Sequence, residues 1–209
     1  MRTAFINGEI YHIYNRGVDR RDVFKDTHDL DRFLESMSVF NTTEPVGGVF
    51  LSRKDKKHKR KVGKPLVELL CYCLNQNHFH LMLRQLAEGG VSEFTRRLGG
   101  YTKYFNEKYH RSGVLFQGPC KSKHVASNEY LLYLSVYVNL NNRVHRVGHS
   151  MSNSSWNEYV HGASKLCNTK LILGQFKNPK EYEEFALDTL KPMIEKKDMA
   201  KDLSDLLIE

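Results

Sequence analysis

Two strand-forming segments joined by a short turn, at residues 65–84, place the strongest constraint on the fold. Residues 65–74 form a long and mostly apolar run, and residues 78–84 form a second run rich in apolar side chains. The residues between them, Asn75-Gln76-Asn77, are of the types that favour turns. The sequence therefore predicts an antiparallel β-hairpin whose first strand lies in the centre of a sheet.

The second strand of this hairpin carries two histidines that flank one phenylalanine. Side chains alternate between the faces of a strand, so His78 and His80 share one face while Phe79 points to the other, into the core. Two neighbouring imidazoles can bind one divalent metal ion, although histidines are also common as polar residues without a ligand. The four cysteines lack zinc-site spacing, so the metal hypothesis is an open site in which Mg²⁺ or Mn²⁺ keeps positions free for phosphate oxygens.

Around the hairpin, the residue pattern alternates between strands and helices. It predicts a strand at 10–15, a helix at 28–40 capped by Thr27, a short strand at 49–51, a helix at 92–109, extended segments at 114–117 and 121–125, and a helix at 127–142. This order is typical of a ferredoxin-like α+β fold, an antiparallel sheet with helices packed on one face.

The chain divides into a main domain at residues 1–160 and a helical C-terminal extension at residues 161–209. Within the extension, helical segments are expected near 169–176 and 179–190. The main domain contains a basic loop at residues 53–64, which is dominated by Lys and Arg. Two interpretations of that loop are compatible: a solvated hairpin tip, and an arm that contacts phosphates.

Charge indicates the class of partner. The net charge is +8 at pH 7, and such a basic protein most often meets nucleic acid or another anionic surface. No apolar run is long enough to span a membrane, and residues 1–9 lack the apolar core of a signal peptide. With cysteines expected as buried thiols, we expect a protein of the reducing cytoplasm with no membrane partner.

A tyrosine on the predicted helix at 127–142 offers a nucleophile. Tyr137 and Asn141 are four residues apart and share a helix face. A phenol is a poor nucleophile unless its target phosphate is polarised, which a metal held by the two histidines would do. The alternative is that Tyr137 belongs to a core stripe with Tyr130 and Tyr133, and core positions are the expectation for the latter two.

Four motifs, taken in order along the chain, resemble those of one protein family. They are Tyr11-His12-Ile13-Tyr14-Asn15-Arg16-Gly17, Asn77-His78-Phe79-His80-Leu81, Leu115-Phe116-Gln117-Gly118 with Lys121, and Tyr137-Val138-Asn139-Leu140-Asn141. Together they resemble the single-tyrosine HUH transposases, which are carried by bacterial insertion sequences and include the REP-associated tyrosine transposases. The resemblance extends from about Tyr11 to Tyr159.

The resemblance implies metal-dependent cleavage and strand transfer of single-stranded DNA, with hairpin or palindromic elements, in DNA transposition in the bacterial cytoplasm. Tyr137 would attack the scissile phosphate to give a 5′-phosphotyrosine and a free 3′-OH. His78, His80 and Asn141 would bind the divalent metal ion, Mg²⁺ or Mn²⁺. Members of the family act as monomers or as homodimers, so both states stay open.

The residues expected to contact DNA are Arg16, Lys121 and Lys123, because they lie inside or beside the matching motifs. Three places differ from the family pattern. Asn139 occupies a place that is often His or another polar residue. Asn142-Arg143 stands where relatives often have Pro-Val, and Pro119-Cys120 stands where many have Arg-Tyr. The last departure bears on substrate preference more than on chemistry.

Two other functions compete with cleavage. A domesticated, non-cleaving protein could bind repeat hairpins in DNA with the same surface. An RNA-binding module could use the same sheet, but the exposed aromatic strand signature of such modules is missing from the sequence.

Overall fold

The computed structural model describes residues 4–50, 63–145, 152–162 and 166–206, with only the backbone of residues 200–206. The basic loop predicted at 53–64 therefore lies almost entirely outside the described residues. No helix in the described part of the chain is both long and apolar enough to cross a membrane.

The centre of the fold is an antiparallel sheet. Its strands are β1 (Ile10–Arg16), β2 (Val67–Asn75), β3 (His78–Gln85), β4 (Lys121–His124) and β5 (Ser152–Ser154). They lie in the order β4-β1-β3-β2-β5, and all neighbours pair antiparallel. The first four strands, with helices in both long connections, have the ferredoxin-like arrangement, so the predicted α+β fold class and the predicted β2–β3 hairpin are confirmed.

The fifth strand was not predicted. Its sequence, Ser152-Asn153-Ser154, has little intrinsic preference for a strand. It pairs with the outer edge of β2, with Ser154 opposite Cys73 and Ser152 opposite Asn75. Hydrogen bonding to an open sheet edge, rather than local propensity, therefore determines this strand.

The helices in the described residues follow the predicted order with several changes of boundary. Besides a short 3₁₀ helix (Val18–Arg20) and the helical residues Val49 and Phe50, they are α1 (Thr27–Phe40), α2 (Gly90–Leu98), α3 (Tyr101–Lys108), α4 (Asn128–Asn139), α5 (Asn141–Val144), α6 (Trp156–Val160), α7 (Lys170–Leu173) and α8 (Pro179–Leu206). The cap of α1 is Asp26, whose side chain accepts a hydrogen bond from the Asp29 amide, rather than Thr27.

Three further boundaries differ from the prediction. The helix expected at 92–109 is two helices, because Gly99 and Gly100, which have low helix propensity, lie between α2 and α3. The helix expected at 127–142 ends at Asn139, and α5 begins after Leu140. The short strand expected at 49–51 is wrong at Val49 and Phe50, which are helical, and Leu51 lies outside the described residues.

Helices cover both faces of the sheet, so the expectation of helices on one face was wrong. Helices α1, α2 and α3 pack on the face that carries Phe79, Leu81 and Tyr11. Helices α4 and α8 pack on the opposite face, against Cys71 and Met82 among others. The second layer was not predicted, because helix α8, which completes it, follows the hairpin by about a hundred residues in sequence.

Helix α8 is joined to α4 by buried polar contacts as well as apolar packing. The Tyr182 hydroxyl lies 3.1 Å from Ser135 Oγ and accepts a hydrogen bond of 3.0 Å from Asn139 Nδ2. Asn139 Oδ1 accepts a hydrogen bond from Ser155 Oγ. Because these groups are fully buried, the contacts fix the position of α8 against the helix that carries Tyr137. The expected core position of Tyr133, by contrast, is wrong, since this side chain is 44% exposed.

We expect Tyr182→Phe to lower the free energy of unfolding by about 1–3 kcal/mol, because the substitution leaves the buried Asn139 amide without an acceptor. Urea denaturation measures this difference. Tyr133→Phe removes a hydroxyl from an exposed position of α4 and is expected to change the same quantity by less than about 0.5 kcal/mol. Equal stabilities of the two variants would contradict the role of this network.

Candidate active site

The pairing of β1 with β3 determines which side chains share a face of the sheet. Tyr14 lies opposite His80, and Arg16 lies opposite His78. Residues that face each other across an antiparallel pair point the same way, so His12, Tyr14 and Arg16 join the two histidines. Phe79 points to the other face and is buried in the core, as predicted.

A cleft of about 270 Å³ opens on this face. The residues that line it include Tyr14, Arg16, Gln117, Lys121, Tyr137 and His145, together with His78 and His80. The Tyr137 ring lies 5.5 Å from the His80 ring, centroid to centroid, at an interplanar angle of 82°. The structure therefore brings the tyrosine of α4 to the histidines of β3 within a single chain.

Of the residues predicted to contact DNA, Arg16 and Lys121 line the cleft and Lys123 does not. Lys123 lies on the same strand as Lys121, but its ammonium is 4.7 Å from the centroid of the Tyr130 ring. Its side chain is therefore placed against the outer surface of α4, beside the cleft.

The surroundings of His78 define its protonation. Its Nδ1 lies 2.6 Å from Asn77 Oδ1. Burial is the largest cause of the lowered pKa of His78; the contact with Asn141 acts in the opposite direction, and the charges of Arg16 and Lys197 add to the lowering. The ring is therefore neutral at pH 7. With Nδ1–H donating to Asn77, the lone pair of the ring lies on Nε2.

The Nε2 lone pair of His78 faces a second acceptor, the side-chain oxygen of Asn141. Asn141 Oδ1 lies 3.1 Å from His78 Nε2. The Asn75 amide donates to both atoms, at 2.7 Å to the oxygen and 3.0 Å to the nitrogen. Asn141 Nδ2 is buried and has no hydrogen-bond partner among the described residues, so the side chain directs its oxygen to His78 at the cost of its own donors.

This arrangement fits a divalent cation. Adjacent ligands of an octahedral Mg²⁺ or Mn²⁺ lie about 3 Å apart, since each bond is about 2.1 Å long. A neutral imidazole nitrogen and an amide oxygen are both suitable ligands. A metal at His78 Nε2 would displace the Asn75 amide from that lone pair. No group of three or more His, Cys, Asp or Glu side chains in the described residues is arranged as a metal site, so a metal beside His78 would need a ligand of another type, such as the Asn141 oxygen.

His80 is oriented by a residue whose role the sequence did not reveal. His12 Nε2 lies 2.8 Å from His80 Nδ1, and the two rings stack at 5.0 Å. If His80 Nδ1–H is the donor, the lone pair of His80 lies on Nε2, as a metal ligand requires. Burial, and then the charge of Lys123, lowers the pKa of His12 to about 4. The sequence feature that could have indicated this role is the placement of His12, Tyr14 and Arg16 at alternate positions of β1.

Beyond the matching motifs, His145 lines the cleft and Lys197 lies beside it. His145 follows α5, and its ring lies 5.5 Å from that of His78. Lys197 of α8 donates a hydrogen bond of 2.9 Å to Val144 O, next to His145. Burial, followed by Lys197 and other charges, lowers the pKa of His145 to about 4. Neutral histidines and cationic side chains thus line a cleft to which the described residues contribute no carboxylate.

Tyr137 is half-buried beside the histidines and Asn141. Burial raises the pKa of its phenol, and the nearby Asn141 side chain acts in the opposite direction. The phenol is therefore protonated at neutral pH. Its reactivity as a nucleophile depends on polarisation of the group that it attacks.

Comparisons with known proteins show no family for this chain. No family model matches the chain, and no curated protein sequence matches it. A solved structure described as "Structure of the REP associates tyrosine transposase bound to a REP hairpin" is similar at a TM-score of 0.49 and 12% identity, over 79% of this chain and 88% of that chain. A likeness at this level carries no argument about the activity of this protein.

We expect the His12 imidazole to stay neutral down to about pH 4 in the metal-free protein. Its Cε1–H resonance in NMR spectra should show no titration between pH 8 and 5, whereas in urea it should titrate near 6.5. Because only the unfolded state takes up this proton between those pKa values, the contribution of His12 to stability is complete above pH 6.5 and is lost as the pH falls toward 4. A native-state titration near pH 6.5 would contradict the buried His12–His80 contact.

Proposed function

We propose that this protein cleaves and rejoins single-stranded DNA in DNA transposition, with Tyr137 as the nucleophile and with a divalent metal ion. One observation carries the proposal: Tyr137 and His78 line one cationic cleft, and the Asn141 side chain contacts His78 beside it. His78 and Asn141 are 63 residues apart in sequence, yet their side chains face each other at 3.1 Å. The resemblance assigns metal binding to His78 and Asn141 and nucleophilic attack to Tyr137. These side chains lie close together in the fold, as those roles require.

The charges around the cleft support a phosphodiester substrate. Arg16 and Lys121 line the cleft, and Lys197 is held beside His145 through Val144. The histidines are neutral and therefore do not offset the positive charge of these side chains. A phosphate group is the anion that such a set of cations recognises in DNA, and Tyr14 offers a ring on which a neighbouring base can stack.

The proposed reaction exchanges one phosphodiester bond for another. The phenolic oxygen of Tyr137 attacks the phosphorus, so that a bond from phosphorus to the tyrosine oxygen forms and the bond to the 3′ oxygen breaks. The phenolic proton passes to solvent, and the 3′ oxygen takes up a proton from solvent. The products are a 5′-phosphotyrosine and a free 3′-OH, and attack by a 3′-OH reverses the step without any nucleotide cofactor.

His78, His80 and Asn141 would hold Mg²⁺ or Mn²⁺ in this cleft. When bound, such an ion polarises the phosphate oxygens and stabilises the negative charge of the transition state. Asn77 and His12 bind the second ring nitrogen of each histidine, which orients the ligands. Because Tyr137 and the histidines lie in one chain, the proposed chemistry does not require a homodimer.

The decisive experiment uses a labelled single strand that carries a hairpin, incubated with the full chain and Mn²⁺. We expect a covalent protein–DNA adduct with the parent protein and none with Tyr137→Phe. Tyr133→Phe, on the same helix but exposed, is the matched control and should form the adduct. An adduct with Tyr137→Phe would show that another group is the nucleophile. Tight hairpin binding without an adduct, with any divalent ion, would favour the non-cleaving alternative.

Metal binding is expected to depend on Asn141. Isothermal titration of the DNA-free protein with Mn²⁺ should show an affinity at least about tenfold lower for Asn141→Ala than for the parent, because one of three protein ligands is lost. Asn142→Ala is the control, since this neighbouring amide donates to Ser152 Oγ rather than facing His78. Equal affinities of Asn141→Ala and the parent would exclude Asn141 as a ligand.

A further inference from the structure

We propose that a second cleft, formed by α5, β5 and α6, binds one unpaired base of the single strand whose phosphate occupies the active-site cleft. This inference rests on the proposed function and identifies a further part of its substrate site. The second cleft has a volume of about 250 Å³. No role in the reaction proposed above uses its residues.

The side chains of this cleft suit a base better than a phosphate. Asn142, Asn153 and Asn157 contribute amides, and among the described residues that line the cleft Arg143 alone is charged. Side-chain amides offer donors and acceptors in a plane, which matches the hydrogen-bonding edge of a base. A site for phosphate alone would gain more from several cations than from amides.

Arg143 and Trp156 supply a surface for stacking. The Arg143 guanidinium carbon lies 5.4 Å from the centroid of the Trp156 ring. The cation–π contact restrains a side chain that is otherwise flexible, because the ring attracts the guanidinium. Unpaired bases stack on guanidinium planes as well as on aromatic rings. The pair therefore forms a platform at the side of the amide-lined cleft.

Internal contacts hold two of the amides in fixed orientations. Asn142 donates to Ser152 Oγ at 3.2 Å, and its oxygen accepts from the Arg143 amide at 2.9 Å. Asn153 Oδ1 accepts from the Tyr72 hydroxyl at 3.0 Å, so the donors of this side chain are directed away from Tyr72. Asn157 is exposed at the rim of the cleft. An ordered set of polar groups of this kind recognises a ligand with little loss of conformational entropy.

The second cleft lies next to the active-site cleft along the chain. Leu140 and Asn142 line it, and they flank Asn141, whose oxygen faces His78 at 3.1 Å. Neighbouring Cα atoms are about 3.8 Å apart, and stacked nucleotides about 3.4 Å. A strand that crosses α5 therefore reaches from one cleft to the other within a few nucleotides. The base in the second cleft would belong to a nucleotide close to the cleaved bond.

Trp156 is the single tryptophan of the chain, so its fluorescence reports on this cleft directly. The test uses the full chain with Tyr137→Phe, which prevents cleavage, and a hairpin with a single-stranded flank. A dye on the hairpin loop gives the overall affinity by anisotropy. A series of strands replaces each flank nucleotide in turn with an abasic nucleotide. We expect binding to change Trp156 emission, and one abasic position to abolish that change and weaken binding about tenfold.

Variants of Arg143 distinguish a base from a phosphate. Arg143→Lys keeps the charge but loses the planar group, so both Arg143→Lys and Arg143→Gln should bind intact and abasic strands equally well. Lys191→Gln is the control, because Lys191 is exposed on α8 and paired with Asp188. It should retain the preference for the intact strand.

Three outcomes would overturn the inference. Binding seen by anisotropy with unchanged Trp156 emission, at every abasic position, would mean that no base enters the cleft. Equal binding of intact and abasic strands by the parent, with affinity retained by Arg143→Lys and lost by Arg143→Gln, would assign the cleft to a phosphate. Absence of any binding by anisotropy would overturn the proposed function as well, so the failures of the two proposals are distinguishable.

Discussion

The register between β1 and β3 is the constraint on which the active-site face depends. It places Tyr14 opposite His80 and Arg16 opposite His78. A slip of one residue would turn His12, Tyr14 and Arg16 to the opposite face, into the core that holds Phe79. The apolar residues that alternate with them, Tyr11 and Ile13 among others, are buried in that core and therefore hold the polar residues in place. Packing on one face of the sheet thus determines which polar side chains share the other face.

Helices α4 and α8 form the layer that encloses the active-site face of the sheet. It buries the histidines, and burial is the largest cause of the lowered pKa values of His12, His78, His80 and His145. Neutral imidazoles keep the lone pairs that a metal ligand needs. The same layer carries Tyr137 to the cleft, and Tyr182 holds α4 against α8 through Ser135 and Asn139. The C-terminal segment therefore shares a core with the main domain, and it brings Lys197 close to His145.

The two clefts differ in their chemistry. Cations and neutral histidines line the first, while amides, one guanidinium and an indole line the second. Asn141 faces His78 of the first cleft, and its neighbour Asn142 lines the second. Under the two proposals, the short helix α5, one turn long, would separate a site for a phosphate from a site for a base.

The sequence by itself determined what depends on neighbouring residues. The hairpin, the shared face of His78 and His80, the core position of Phe79 and the ferredoxin-like order of elements all follow from periodicity and turn chemistry. The division at Gly99-Gly100 was visible only as a weakness of one helix. The resemblance predicted that Tyr137 acts together with the histidines. That these side chains lie close together is a result of the tertiary structure.

Only the tertiary structure decided what depends on distant pairing. His12 and His80 are 68 residues apart, and Lys197 and Val144 are 53 apart. β5 exists because β2 leaves an edge to pair with, and Tyr133 is exposed because α8 covers a different side of α4. Local sequence carries no record of such partners, since the free energy of these contacts comes from packing and hydrogen bonding after chain closure rather than from the propensity of any one segment.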